Sequence, residues 1–128
     1  MWSGVSQEGR FEEPSVEACA IGMRFDETFD LVAMDRKTQT TRPLKFFEWY
    51  SGKEGKIIYA ESPNPTLPQI AIQITSVFKC SLGEVASKQE HYIREGFTKG
   101  QEFIDAWKRL HGRFDPAEEV CVLRFVKV

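Results

Sequence analysis

Six of the seven residues in Arg36-Lys37-Thr38-Gln39-Thr40-Thr41-Arg42 carry a cation or a hydroxyl. A lysine three residues ahead of a threonine can serve as base or electrophile beside a nucleophilic hydroxyl. The hydroxyl is inert without a nearby base, and a lysine is that base only when neutral. Lysine ordinarily titrates at about 10.4, so bringing it to about 7 takes roughly 4–5 kcal/mol of desolvation or like-charge repulsion. Arg36 and Arg42 are the expected source of repulsion. The aromatics Phe46, Phe47, Trp49 and Tyr50 are the expected source of desolvation, or else a plug in the fold. On an extended chain Thr40 and Arg42 share one face while Thr41 points away.

The elements around this segment follow from hydrophobic period. Cys19, Ile21, Met23 and Phe25 alternate as a half-buried strand. Asp26 offers an N-cap to a helix carrying Phe29, Val32 and Ala33, which should end near Asp35. Thr38–Arg42 should be extended, because threonine favours strands. Pro43 opens a loop over 44–56. Its Gly52-Lys53-Glu54-Gly55-Lys56 lacks the hydroxyl after lysine that a phosphate loop needs and reads as a hairpin turn. Strands are expected at Lys56–Ala60, around Ile70, Ile72 and Ile74, and at Val120–Val126, the last apolar on both faces except at Arg124. Short helices are expected at Leu82–Ser87 and Gln89–Arg94. A longer one, capped by Thr98 with Gln101 and stopped by Gly112, carries Phe103, Ile104, Trp107 and Leu110 on one face. Strands outnumber helices without alternating regularly with them. That pattern is α+β, a small mixed β-barrel with flanking α-helices.

Size and composition narrow the function classes. The 128 residues make one domain, 16–128, behind a flexible polar arm, 1–15. A net charge of −2 and a pI near 5.7 provide no global field for nucleic acid, so any RNA contact would be local. Cys19, Cys80 and Cys121 are dispersed and odd in number, as expected of reduced thiols in a cytoplasmic protein. His91 and His111 stand alone and no CxxC pair exists, so neither a metal nor another cofactor is expected. No apolar run is long enough for a membrane span.

Three stretches together resemble the ASCH domain, a small member of the PUA-like group. The first is Arg24-Phe25, the helix, and Arg36-Lys37-Thr38-x-Thr40-x-Arg42, similar to that family's helix–Gly–[Arg/Lys]-Lys-Thr-x-Thr-x-Arg corner. The second is Glu95-Gly96-Phe97 ahead of the helix with Trp107 and His111-Gly112. The third is the closing strand Val120–Phe125. Small ASCH proteins include amidohydrolases that remove the acyl group from the exocyclic amine of N4-acetylcytidine. The resemblance implies Lys37, Thr40 and Glu95 as the catalytic set, with Glu90 a rival for the carboxylate. Arg42, Phe25 and Arg24 would bind an acylated cytosine nucleoside. Either Lys37 is the base with Glu95 on the cytosine amine, or Glu95 is the base with charged Lys37 on the oxyanion. Two departures stand out: Asp35 replaces the glycine at the corner, and Arg124 replaces an acidic residue in the last strand. The alternatives that the resemblance implies are an RNA- or nucleotide-binding module and a ribonuclease.

Overall fold

The computed structural model describes residues 22–128. The arm over 1–15 and the strand start at Cys19 and Ile21 lie outside the described residues. Five strands, β1 (Gly22–Arg24), β2 (Gln39–Pro43), β3 (Ile57–Glu61), β4 (Ile70–Ser81) and β5 (Glu119–Lys127), form one sheet in the order β1-β3-β4-β5-β2. β1 runs parallel to β3, and the other pairs are antiparallel. Around them stand α1 (Phe29–Ala33), α2 (Phe47–Tyr50), α3 (Leu82–Ser87), α4 (Gln89–Arg94) and α5 (Gly100–His111). No described helix is long and apolar enough to cross a membrane. The α+β class holds, but the expected barrel does not close. β1 and β2 are the two edges, and no ladder joins them among the described residues. A register shift in β4 between Ile74 and Ser76 bends the sheet, as bulges do. A side chain then spans the seam: Nη2 of Arg42 donates to the Arg24 carbonyl at 2.9 Å.

β5 is the interior strand its sequence predicts. Cys121, Leu123 and Phe125 enter one apolar cluster, with Phe25, Val32, Ile58, Ile72 and Ile74. Val120 and Val122 enter the other, with Leu82, Val85, Phe103 and Trp107. Period-two alternation thus gives β5 two buried faces, and Arg124 must find polar partners on the second. Both described thiols are free, and burial pushes Cys80 and Cys121 each up to about 11.

Local details depart from the sequence reading where side chains are engaged elsewhere. Asp26 does not cap α1, because Arg24 Nε holds its carboxylate at 2.8 Å; the helix starts after Thr28. Asp35 adopts φ 60°, the left-handed turn that replaces the glycine, and the amides of Arg36 and Lys37 return to the Leu31 carbonyl at 2.8 and 3.1 Å. The aromatic segment is not an open loop. Leu44–Phe46 is a 3-10 turn leading into α2, where Phe46 and Tyr50 meet with ring centroids 6.5 Å apart. The cap of α5 uses Glu102 rather than Gln101, its carboxylate accepting from the Thr98 amide at 2.9 Å. Gln101 instead bonds Asp105 one turn on.

Candidate active site

The corner after α1 is fastened on both sides. The Thr38 amide donates to the Arg94 carbonyl at 2.8 Å, and the Phe125 amide to the Thr38 carbonyl at 3.0 Å. These bonds bring the two chain segments that carry Lys37 and Glu95 side by side. Lys37 is 4% exposed and Glu95 is 2% exposed. Lys37 Nζ donates to the Glu95 carbonyl at 2.9 Å and lies 3.2 Å from its Oε1. Burial pushes the Lys37 pKa below the ordinary lysine value. The Glu95 charge and hydrogen bond oppose that shift, and Arg42 reinforces it. Arg36, expected to add repulsion, turns out to solvent.

The second carboxylate oxygen of Glu95 is held from β2. Thr41 Oγ1 donates to Oε2 at 2.6 Å and Gln39 Nε2 at 3.0 Å. Lys37, Gln39 and Thr41 therefore converge on one carboxylate, as residues two apart on an extended chain must. Thr41, expected to point away from Thr40 and Arg42, lines the same cleft as both, and it is the Thr41 hydroxyl that meets Glu95. Gln39 and Thr41 do not stand out in the sequence, although their spacing from Lys37 is the available signal. Behind them, Arg124 Nε donates to Gln39 Oε1 at 2.9 Å, and His91 Nδ1 lies 3.2 Å from Gln39 Nε2.

Thr40 is buried and lines a cleft of about 370 Å³ together with Lys37, Thr41, Arg42 and Glu95. Among the described residues its hydroxyl has no hydrogen-bond partner. Phe97, Phe103 and Trp107 form an apolar wall of the cleft, and Phe46 reaches its rim. Phe47 and Tyr50 join the core instead, and exposed Trp49 lies under Lys53. The three residues assigned to substrate, Arg24, Phe25 and Arg42, sit together at the seam. The Arg42 guanidinium lies over the Phe25 ring, 5.2 Å from its centroid. Phe25 itself is a core residue packed edge-on against Phe125. Arg24 is exposed and paired with Asp26. Glu90, the rival carboxylate, lies outside this cleft and meets Arg124 at 3.6 Å. Among the described residues no three His, Cys, Asp or Glu side chains group as metal ligands.

No protein-family model matches the chain, and no curated protein does. Solved structures do match. An ASCH domain from Lactobacillus crispatus superposes with a TM-score of 0.51 at 19% identity, covering 91% of this chain and 86% of that one. The fold is that of an ASCH domain. An ASCH protein variant from Zymomonas mobilis gives 0.52 at 14% identity, over 81% of this chain and 65% of that chain. A protein of family DUF984 from Enterococcus faecalis gives 0.55 at 20% identity, over 77% of this chain. This chain spans 65% of the Enterococcus protein. Within this fold Lys37 stands at the corner between α1 and β2, Glu95 follows α4 directly, and both line the cleft.

Proposed function

We propose that the protein is an amidohydrolase that removes the acyl group from N4-acylated cytosine nucleosides of the N4-acetylcytidine type. One observation carries this reading: a lysine amine, buried and doubly bonded to one glutamate, shares a cleft with a threonine hydroxyl that has no hydrogen-bond partner among the described residues. An ammonium has three donors, and Glu95 takes two of them. The neutral amine would keep those two bonds and direct its lone pair along the third. Burial lowers the cost of that neutral state. Glu95, with one carboxylate oxygen already accepting from Gln39 and Thr41 and the other from Lys37, then orients the base. This favours Lys37 as base over Glu95 as base.

In the reaction, Lys37 takes the Thr40 proton as Oγ1 attacks the acyl carbon. The tetrahedral species collapses as the ammonium returns that proton to the departing cytosine amine, leaving an acyl ester on Thr40. Water, deprotonated by Lys37, cleaves the ester and restores the hydroxyl. The wall of Phe97, Phe103 and Trp107 suits a flat heteroaromatic ring. The decisive assay incubates the purified protein with N4-acetylcytidine and measures cytidine release. Turnover in wild type, lost in Thr40→Ala and Lys37→Ala, supports the reading. Unchanged turnover in both variants overturns it.

One feature favours a second reading, binding of single-stranded RNA or a nucleotide. Lys45–Phe46, Lys79–Phe47 and Lys53–Trp49 are cation–aromatic pairs 5.4, 4.7 and 4.2 Å apart around one short segment. Retention of RNA that weakens steeply with salt, without acylcytidine turnover, would support it. RNA cleavage that depends on Lys37 and Glu95 would mark a ribonuclease.

A further inference from the structure

Gln39 is 0% exposed, and its amide is bracketed by two groups of opposite character. Arg124 Nε donates to its Oε1 at 2.9 Å, while its Nε2 donates to Glu95 Oε2 at 3.0 Å. A guanidinium only donates and a carboxylate only accepts. Rotating the amide by half a turn would set donor against donor on one side and oxygen against carboxylate on the other. Its orientation is therefore fixed by chemistry. His91 Nδ1 lies 3.2 Å from Nε2 and 3.4 Å from Oε1; the shorter contact suits the tautomer that carries its proton on the ring Nε2 and accepts the second amide N–H.

Arg124 is placed to do this by the sheet. It stands directly opposite Gln39 in the β2–β5 register, on the face of β5 that also carries Val120 and Val122. Its guanidinium is steadied over the Phe78 ring, 5.1 Å from the centroid, and lies 3.6 Å from Glu90. None of Gln39, His91 and Arg124 lines the cleft, so their influence on a ligand must pass through Glu95.

We propose that Arg124 is a positioning residue, which through the Gln39 amide holds the Glu95 carboxylate in its Lys37-bound arrangement. Without the Arg124 donor the amide is held from the Glu95 side alone, its oxygen is left unpaired, and it is freer to swing away, so that the carboxylate loses a donor. The inference rests on the amidohydrolase reading only for its consequence on turnover, since the effect on Glu95 is measurable without substrate.

The test compares full-length wild type with Arg124→Met, which keeps an apolar stem over Phe78, and with Arg124→Lys, which restores a donor. Carbon-13 and nitrogen-15 NMR at one fixed pH follow the Glu95 side-chain carboxyl and the Gln39 side-chain amide. In Arg124→Met the Gln39 amide protons are expected to exchange with solvent about tenfold faster and the Glu95 carboxyl resonance to move, with Arg124→Lys returning both towards wild type. With N4-acetylcytidine, kcat should fall about tenfold or more in Arg124→Met while KM stays within about threefold. A Glu95 carboxyl resonance that is the same in wild type and in folded Arg124→Met overturns the proposal. Should the methionine variant not fold, Arg124→Gln takes its place: the same change is expected, and an unmoved resonance again overturns the proposal. A moved resonance in a protein that hydrolyses no acylcytidine upholds the positioning role and removes the catalytic reading alone.

Discussion

Lys37 Nζ is anchored at two points of one residue, 2.9 Å from the Glu95 carbonyl and 3.2 Å from its carboxylate. The backbone contact fixes where the nitrogen sits even when its charge changes. The carboxylate contact sets how readily it does so. A lone surface ion pair would contribute little and be screened by salt. Here both partners are buried, so each is costly to leave alone.

Lys37→Met should therefore lose activity and destabilise the fold by about 3–5 kcal/mol, because a buried carboxylate is left without its cation. The pH dependence has a definite sign. Burial holds the folded pKa of Lys37 below its unfolded value, so the unfolded chain binds the extra proton between the two. The lysine's contribution is complete above the ordinary lysine pKa and is lost as pH falls through the lowered one. Urea unfolding should show the gap between wild type and Lys37→Met widening from neutral pH towards about pH 10. Activity of wild type should rise over the lower part of the same window, as the amine deprotonates.

Thr40 and Thr41 should separate cleanly. The Thr40 hydroxyl bonds nothing described, so Thr40→Val should change stability by less than about 1 kcal/mol while abolishing turnover. Thr41 Oγ1 donates to a buried carboxylate at 2.6 Å, and Thr41→Val should cost about 1.5–3 kcal/mol. Turnover should fall only in part. Chemical unfolding midpoints measured beside kcat for both variants check the pair, and a catalytic collapse confined to Thr41→Val would reverse the assignment.

Gly96 follows Glu95 directly and has φ 101°; a Cβ there would come within 2.7 Å of Leu31 Cδ1. Gly112, at φ 88°, has open space around it. Both alanine variants pay for the left-handed backbone, about 1–2 kcal/mol. Only Gly96→Ala also meets a side chain, that of half-buried Leu31 in α1. Its loss in thermal stability should exceed that of Gly112→Ala, and it alone should lower activity by displacing Glu95.

Much of this was legible in the chain because local chemistry and tertiary context agree. The apolar run Val120–Phe125 is central in the sheet, Ile70, Ile72 and Ile74 alternate on β4, and Gly112 stops α5. Lys37 and Glu95 meet although 58 positions apart, as the motif likeness implied. What the chain hid depends on distant partners. Asp26 is drawn from its cap by Arg24, and Phe25 is claimed by the core and by Arg42 rather than left open. The seam between β1 and β2 closes through a guanidinium, which strand periodicity cannot report. Arg124 stands out in the sequence only as a departure in the last strand, and Gln39 not at all, until the β2–β5 register sets them face to face.

His91 offers a last test of that buried polar layer. Its Nδ1 faces Gln39 from α4, with Phe78 from β4 beside the ring and Arg124 from β5, Glu84 from α3, and Glu90 and Glu95 from its own segment nearby. Burial first, and then the Arg124 charge, push its pKa below the ordinary histidine value; the glutamates oppose. The unfolded histidine thus binds its proton at a higher pH than the folded one, and stability must fall as pH drops from about 6.5 through the lowered value. Protonation also places a hydrogen on Nδ1, 3.2 Å from the Gln39 amide nitrogen. Its remaining acceptor there is Gln39 Oε1 at 3.4 Å, where it competes with Arg124. His91→Gln, which does not titrate, should flatten the acid limb of the stability curve. If wild type and His91→Gln lose stability in parallel between pH 7 and pH 5, about the range in which histidines titrate, then His91 does not govern that limb.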